Sequence, residues 1–297
     1  MKTIFRYIFP IQEVNFLKHM KSASAYAILA SLSFSLMYAA IKLLNSGYHV
    51  FQILFFRSSI PLLILFLYLI KDISFIKTKN LKHHIIRSLF GIFSMICIFL
   101  SASKISLISL TLIIFTMPLI VGIISPIILR EKISKEVYLC STLGFLGILI
   151  GLGPLDGNIN FYHFVALLGS FFYAMVAISV RKLGETDRVM TTFFYFTLFC
   201  VVFSSATLPI IWITPNISDL LIFIFIGLTG TIGQYSMVRA YKEGDANFIA
   251  PFEYLQFIWA LILGIIIWNN KPDIYNFIAA FCIITSTFIL SRNKNKN

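Results

Sequence analysis

Residues 35–39 read "SLMYA" and residues 170–174 read "SFFYA", a short match that decides the fold because its surroundings repeat with it. Downstream, "LFFRSS" at 54–59 falls opposite "TFFYFT" at 192–197 after a three-residue insertion in the intervening loop. Further on, "IILREKIS" at 127–134 falls opposite "IIWNNKPD" at 266–273, again at the end of a long apolar helix. The order of features is kept through both halves. It reads as one unit used twice, over residues 24–153 and 161–291, joined by a short linker at 154–160 beside the Gly- and Pro-containing "GLGPLDGN".

Composition says what such a unit is made of. The 297-residue chain is 59% hydrophobic and only 12% charged, against roughly 25% charged in soluble domains. It divides into successive apolar stretches of the length that matches the hydrocarbon core of a bilayer. Backbone groups in lipid need internal partners, so stretches of this length are helices. Ten are expected, at 24–44, 50–70, 84–103, 105–129, 137–153, 161–180, 190–213, 219–241, 246–268 and 274–291. The fold class is therefore an all-α polytopic membrane protein. Placing the N-terminus in the cytoplasm puts nineteen of the 24 Lys and Arg residues in inside segments and only Lys104 and Lys271 outside, which predicts an N-in, C-in topology. The net charge of +12 then reflects membrane orientation rather than nucleic-acid binding.

Five helices per unit is an odd number, so the second unit crosses in the opposite sense. Inverted repeats of this kind are a recurring basis of secondary transporters, because related halves of opposite orientation can open a midplane site to either side in turn. Outside the repeats, residues 1–23 lack a signal-peptide pattern and read as an inner-leaflet segment or a mobile tail, and residues 292–297 form a cytoplasmic tail. The four cysteines, Cys97, Cys140, Cys200 and Cys282, fall within spans without metal-ligand spacing and read as buried thiols, so no metal is expected. Trp212 and Trp268 sit at outer span ends, where amphipathic rings suit the interface.

The polar residues inside the spans carry the functional reading. An ionisable group deep in a span adds about 2.5–3.5 kcal/mol to insertion and so faces protein or water. Glu253 and Arg57 are the two clear cases. Glu253 is the eighth residue of its span, about 10 Å deep at 1.5 Å per residue, and Arg57 enters from the other side to lie roughly 9 Å away in depth if the core is about 30 Å thick. Either Glu253 contacts substrate or a coupling proton, or the two form an ion pair that fixes packing. Gln234 is level with Glu253 on the preceding helix, and Gln256 is one turn further along the same face. Pro251 and Pro118 can kink their helices and free a carbonyl, with a tolerated packing kink as the alternative. Tyr38 and Tyr173 occupy matching repeat positions, with Ser35 and Ser170 one turn before them. They suit a cavity that stacks a planar metabolite, or else close helix packing with a bonded hydroxyl. His83 and His84 open the third span and read as solvated or headgroup-facing.

With these residues in place, the chain resembles the EamA-type members of the drug/metabolite transporter superfamily. The resemblance rests on Arg57 in "FFRSS", on "SLTLIIFTMPLIVGIISPIILREKIS" with Pro118 and Glu131, and on "GDANFIAPFEYLQFIWALILG". It implies ten helices around a central cavity lined by spans 1, 3, 4, 6, 8 and 9, with no cofactor. Two positions depart from the family pattern: span 1 lacks a Trp-Gly pair, and Asn270 stands where the second repeat often has Glu. The "APFEY" variant is similar to that of members that take up S-adenosylmethionine, whose sulfonium cation would suit the carboxylate. Riboflavin uptake and efflux of an amino acid or drug are the rival cargoes, in each case a small-molecule substrate moved across the inner (cytoplasmic) membrane. No Gly-rich phosphate loop is present, so ATP is not expected to drive transport directly. A polytopic membrane enzyme or a structural or signalling subunit are the readings of another class. The first lacks a His-plus-carboxylate cluster, and the second predicts no enclosed polar cavity.

Overall fold

The computed structural model describes residues 11–44, 47–69, 72–102, 104–105, 110, 113–130, 135–152, 160–269 and 274–293. Among these, every regular element is helical and no strand occurs. The main helices are α1 (Ile11–Leu43), α2 (Val50–Leu69), α3 (Leu81–Ala102), α4 (Met117–Leu129), α5 (Lys135–Leu152), α6 (Phe161–Gly184), α7 (Val189–Ser205), α8 (Ile217–Glu243), α9 (Leu255–Trp268) and α10 (Ile274–Asn293). Among the described residues, six helical stretches are long and apolar enough to cross a membrane: Ser22–Leu43, Val50–Leu67, Leu81–Ile98, Phe161–Gly184, Ile217–Glu243 and Ala246–Trp268. Three shorter apolar helices, Met117–Leu129, Val189–Ser205 and Ile274–Ile289, accompany them.

The sequence and the structure differ mainly where prolines interrupt a span. The stretch expected to run unbroken from 105 to 129 forms α4 only from Met117, after a turn at 115–116. Pro118 follows that turn, and its missing N–H leaves the Ile114 carbonyl without its intrahelical donor, so the helical residues at 113–114 do not run on into α4 without a break. The stretch at 246–268 is likewise divided. A turn at Ala246–Ile249 leads into a 3₁₀ segment at Ala250–Tyr254, and the α-helix proper begins at Leu255. Pro251 sits early in that 3₁₀ segment. The seventh stretch stops at Ser205 and resumes as a short turn, Leu208–Ile211, around Pro209. At the N-terminus the difference runs the other way, because α1 begins at Ile11 rather than 24. Asn270, Glu131 and most of the linker lie outside the described residues.

Packing follows an exchange of halves. The most extensive helix contacts include α8 along α1, α5 along α10 and α3 along α6. Replacing each helix by the one five places along turns α1–α8 into α6–α3, turns the α4–α6 contact into the observed α9–α1 contact, and leaves α5–α10 unchanged. Glycines permit the closest approaches. A Cβ on Gly227 or Gly233 of α8 would fall 2.3 Å from Ile60 or 2.8 Å from Phe34, and one on Gly144 of α5 would fall 2.5 Å from Tyr254. Small residues let backbones meet where no aqueous hydrophobic effect drives helices together. Among the described residues, the two non-glycine residues with positive φ are Arg130 (56°) and Asn269 (52°), the left-handed C-caps of α4 and α9. They fall opposite one another when "IILREKIS" is laid on "IIWNNKPD".

Each end of the bundle is tied by polar contacts. At one end, buried His84 of α3 bonds Asp187 at 3.1 Å. The Asp187 carboxylate also accepts from Thr78 and Asn80, and the Lys242 ammonium reaches the Asp187 carbonyl at 2.7 Å. Arg181 pairs with Asp245 at 3.0 Å nearby. At the opposite end the fully buried Gln52 makes two bonds to the backbone of Ile213, at 2.6 and 3.0 Å, and the Tyr48 hydroxyl donates to Asp219 at 2.7 Å. His84 thus corrects the expectation of a solvated pair: it is 0% exposed, because the 72–80 loop folds over it and Tyr195 stacks on its ring at 4.9 Å. His83 remains exposed.

Candidate functional site

The interruption before α9 determines where its polar side chains go. A 3₁₀ turn advances faster per residue than an α-turn, so the segment Ala250–Tyr254 brings Glu253 round to face α6 while its neighbours pack. Phe252 is 1% exposed and Tyr254 0% exposed. The Tyr254 ring lies against the backbone of Gly144 and edge-on to Phe115, away from Glu253, as helical spacing predicts.

Glu253 is buried, and a buried carboxylate persists only with partners. It has two. The Gln256 side-chain amide donates to Oε2 from one turn along, and the Tyr173 hydroxyl of α6 bonds the same carboxylate. Tyr38 of α1 sits beside both Glu253 and Tyr173. Its ring is 53% exposed. Of the two tyrosines at equivalent repeat positions, Tyr173 thus bonds the carboxylate and Tyr38 is its neighbour.

Other groups tie α1 and α6 to the two interrupted stretches. Ser35 of α1 reaches the Gln256 carbonyl at 3.4 Å, and Trp259 of α9 donates to Ser31 at 3.0 Å. On the other side, Ser170 of α6 bonds the Ile114 carbonyl at 3.1 Å and the Thr116 hydroxyl at 3.0 Å, both in the break before α4. Gln234 is buried in α8 beside the Gly233–Phe34 contact. No described hydrogen bond joins it to Glu253, and its side-chain amide nitrogen has no partner. Asn247 Nδ2 and the Tyr254 hydroxyl are likewise buried without partners.

Arg57 is half-buried and does not pair with Glu253. Its Nη1 lies 3.7 Å from the Met95 sulfur, and its stem passes over Gly230, whose missing side chain leaves room for it. Tyr38 is near both charges. Arg87, within the expected third span, is buried to 1% exposure, with its guanidinium carbon 3.5 Å from the centre of the Phe196 ring. The signal was present: Arg87 is as deep in its helix as Arg57 is in its own. The four cysteines are free, with Cys140 and Cys200 buried and the other two half-buried, and no group of three or more metal-ligating side chains occurs among the described residues.

A buried carboxylate held by Tyr173 of α6 and by Gln256 beside an interrupted helix is thus the main polar cluster among the sequence-predicted residues. The sequence model of the EamA-like transporter family matches residues 21–152 and again 160–292. The chain belongs to that family. Among its relatives, the pseudopaline exporter CntI of Pseudomonas aeruginosa is 25% identical over 93% of this chain and 98% of its own length. The S-adenosylmethionine uptake transporter of Rickettsia bellii is 28% identical over 86% and 88%, and an uncharacterized transporter of Helicobacter pylori is 26% identical over 89% and 92%. A solved crystal structure superposes with a TM-score of 0.78 at 16% identity, covering 91% of this chain and 96% of the other, a likeness of fold alone. This EamA-family chain is a multi-pass membrane protein of the transporter class.

Proposed function

We propose that the chain is a secondary transporter of a small organic metabolite, working by alternating access, with S-adenosylmethionine uptake across the cytoplasmic membrane as its first assignment. The observation that carries this is the Glu253 cluster: a buried carboxylate on a 3₁₀ break, bonded by Tyr173 and Gln256, with the exposed ring of Tyr38 beside it. A sulfonium or ammonium cation of the cargo would meet the carboxylate. Tyr38 and Tyr173 would stack and orient its planar part, and Gln234 would offer its unpartnered amide. A coupling proton on Glu253 is the alternative use of the same group.

The reading includes ten membrane-crossing helices as two inverted five-helix repeats, N-in and C-in, with residues 24–153 and 161–291 as the units. The exchange of contacts between halves and the matched left-handed caps support it, as does the Lys and Arg asymmetry. In this orientation the His84–Asp187 contacts close the cytoplasmic end and the Gln52–Ile213 contacts the outer end. Export is the second reading, favoured by the likeness to the pseudopaline exporter, and riboflavin or another amino acid or drug remains a rival cargo.

The test is uptake into proteoliposomes of labelled S-adenosylmethionine, riboflavin and amino acids, with and without an imposed proton gradient. Saturable uptake by the wild type that Glu253→Gln abolishes is the expected result. Wild-type kinetics in a stably inserted Glu253→Gln protein would remove the carboxylate from the mechanism, and no transport of any compound would sink the reading.

A further inference from the structure

The strongest unexplained feature is a pair of arginines that neighbour the same tyrosines as Glu253. Arg57 of α2 and Arg87 of α3 are close enough to repel one another, and no described carboxylate forms an ion pair with either. Arg87 is 1% exposed, and its Nε and Nη1 are buried with no hydrogen-bond partner. Its other neighbours are neutral: the Phe196 ring beneath it, the Cys200 thiol and the Tyr173 ring. A guanidinium can rest on an aromatic face, but that contact leaves its N–H donors unused. Two like charges in an apolar interior, with donors unspent and no counter-ion, are costly unless an anion completes them. Arg57 is the more accessible of the two and shares Tyr38 as a neighbour with Glu253, as Arg87 shares Tyr173, so the pair and the carboxylate are linked through the two tyrosines.

We infer that Arg57 and Arg87 form an anion subsite that receives a carboxylate of the transported molecule, making the cargo zwitterionic: its cationic group at Glu253 and its carboxylate at the arginine pair. Guanidinium groups suit this task because their planar fork can engage both oxygens of a carboxylate. Arg57 would contact the carboxylate directly, and Arg87 would join it once its side chain turns off Phe196. The inference rests on the transport reading above and narrows it to amino-acid-like substrates. It disfavours riboflavin, which carries no carboxylate.

Matched pairs of compounds test it with the full-length protein in proteoliposomes: S-adenosylmethionine against its decarboxylated form, and lysine against cadaverine. The expected result is that removing the carboxylate raises KM, or the concentration needed to compete, at least about ten-fold in the wild type. Arg87→Lys keeps a charge but loses the fork, and should raise KM for the carboxylate-bearing member about ten-fold while leaving the decarboxylated member unchanged. Equal handling of both members by the wild type would overturn the subsite while leaving the transport reading intact. Transport of riboflavin but of neither pair would overturn the inference alone, and transport of no compound at all would overturn both. Preparing the vesicles with and without phosphatidylglycerol separates a lipid phosphate from a substrate carboxylate: a KM difference within each pair that vanishes without anionic lipid would assign the arginines to the lipid and overturn the inference.

Discussion

The two interrupted helices, the break before α4 and the break before α9, are built alike and equipped differently. Each carries a proline within its first turns, each is held by a serine from a helix of the other half, and each runs on to a residue of positive φ. Under the alignment that pairs Arg130 with Asn269, Ile114 stands opposite Glu253. On the α4 side the break offers a carbonyl and a hydroxyl, which Ser170 takes up. On the α9 side it offers a carboxylate, which Tyr173 and Gln256 take up. A shared backbone device thus supplies the opening, and one residue supplies the charge. The difference teaches that architecture and chemistry can be mutated separately.

The largest effect should come from removing the charge that distinguishes the two breaks. Glu253→Gln is close to isosteric and should reduce uptake to the protein-free background with unchanged membrane abundance, measured by initial rates in proteoliposomes. Next is the Tyr173 hydroxyl. A hydrogen bond to a charged group contributes about 1.5–3 kcal/mol, so Tyr173→Phe should raise KM by about ten-fold or more, whereas Tyr38→Phe, which loses no described bond, should change it less. If the two phenylalanine variants behave alike, the asymmetry between the halves is wrong at this point.

Smaller effects probe the architecture. Gly144→Ala forces a Cβ to within 2.5 Å of the Tyr254 ring and should cost about 1–3 kcal/mol through overpacking, read as a lower thermal midpoint in detergent. Ser170→Ala removes the two contacts at the α4 break and should cost about 1 kcal/mol, with Ser35→Ala milder because its bond is long at 3.4 Å. Equal destabilisation by the two serine variants would argue that the breaks are held with equal strength. Least of all, Asn269→Gly relieves a left-handed φ and should shift stability by less than about 1 kcal/mol, upward.

Much of this was legible in the sequence, for physical reasons. Helix positions followed from bilayer length and from charge punctuation, which is why α2, α6, α8 and α10 begin within a few residues of their expected starts. The meeting of Tyr173, Gln256 and Glu253 was approached through repeat position and helical spacing. The misses share a cause, which is that tertiary partners do not show in a single chain's letters. His84 looked like a surface residue until Asp187, 103 positions away, was brought to it. Arg87 shows its depth in its own helix, but not that the Phe196 ring lies under its guanidinium.

The left-handed caps have a consequence for how such repeats are found. Arg130 and Asn269 share no charge, size or side-chain chemistry, yet both hold φ near +55°, a conformation that L-residues rarely adopt. If the halves descend from one ancestor, the dihedral outlasted the letter. Ancient duplications in membrane proteins can then be sought by comparing backbone torsions between halves, at positions where a residue-by-residue alignment would report only a mismatch.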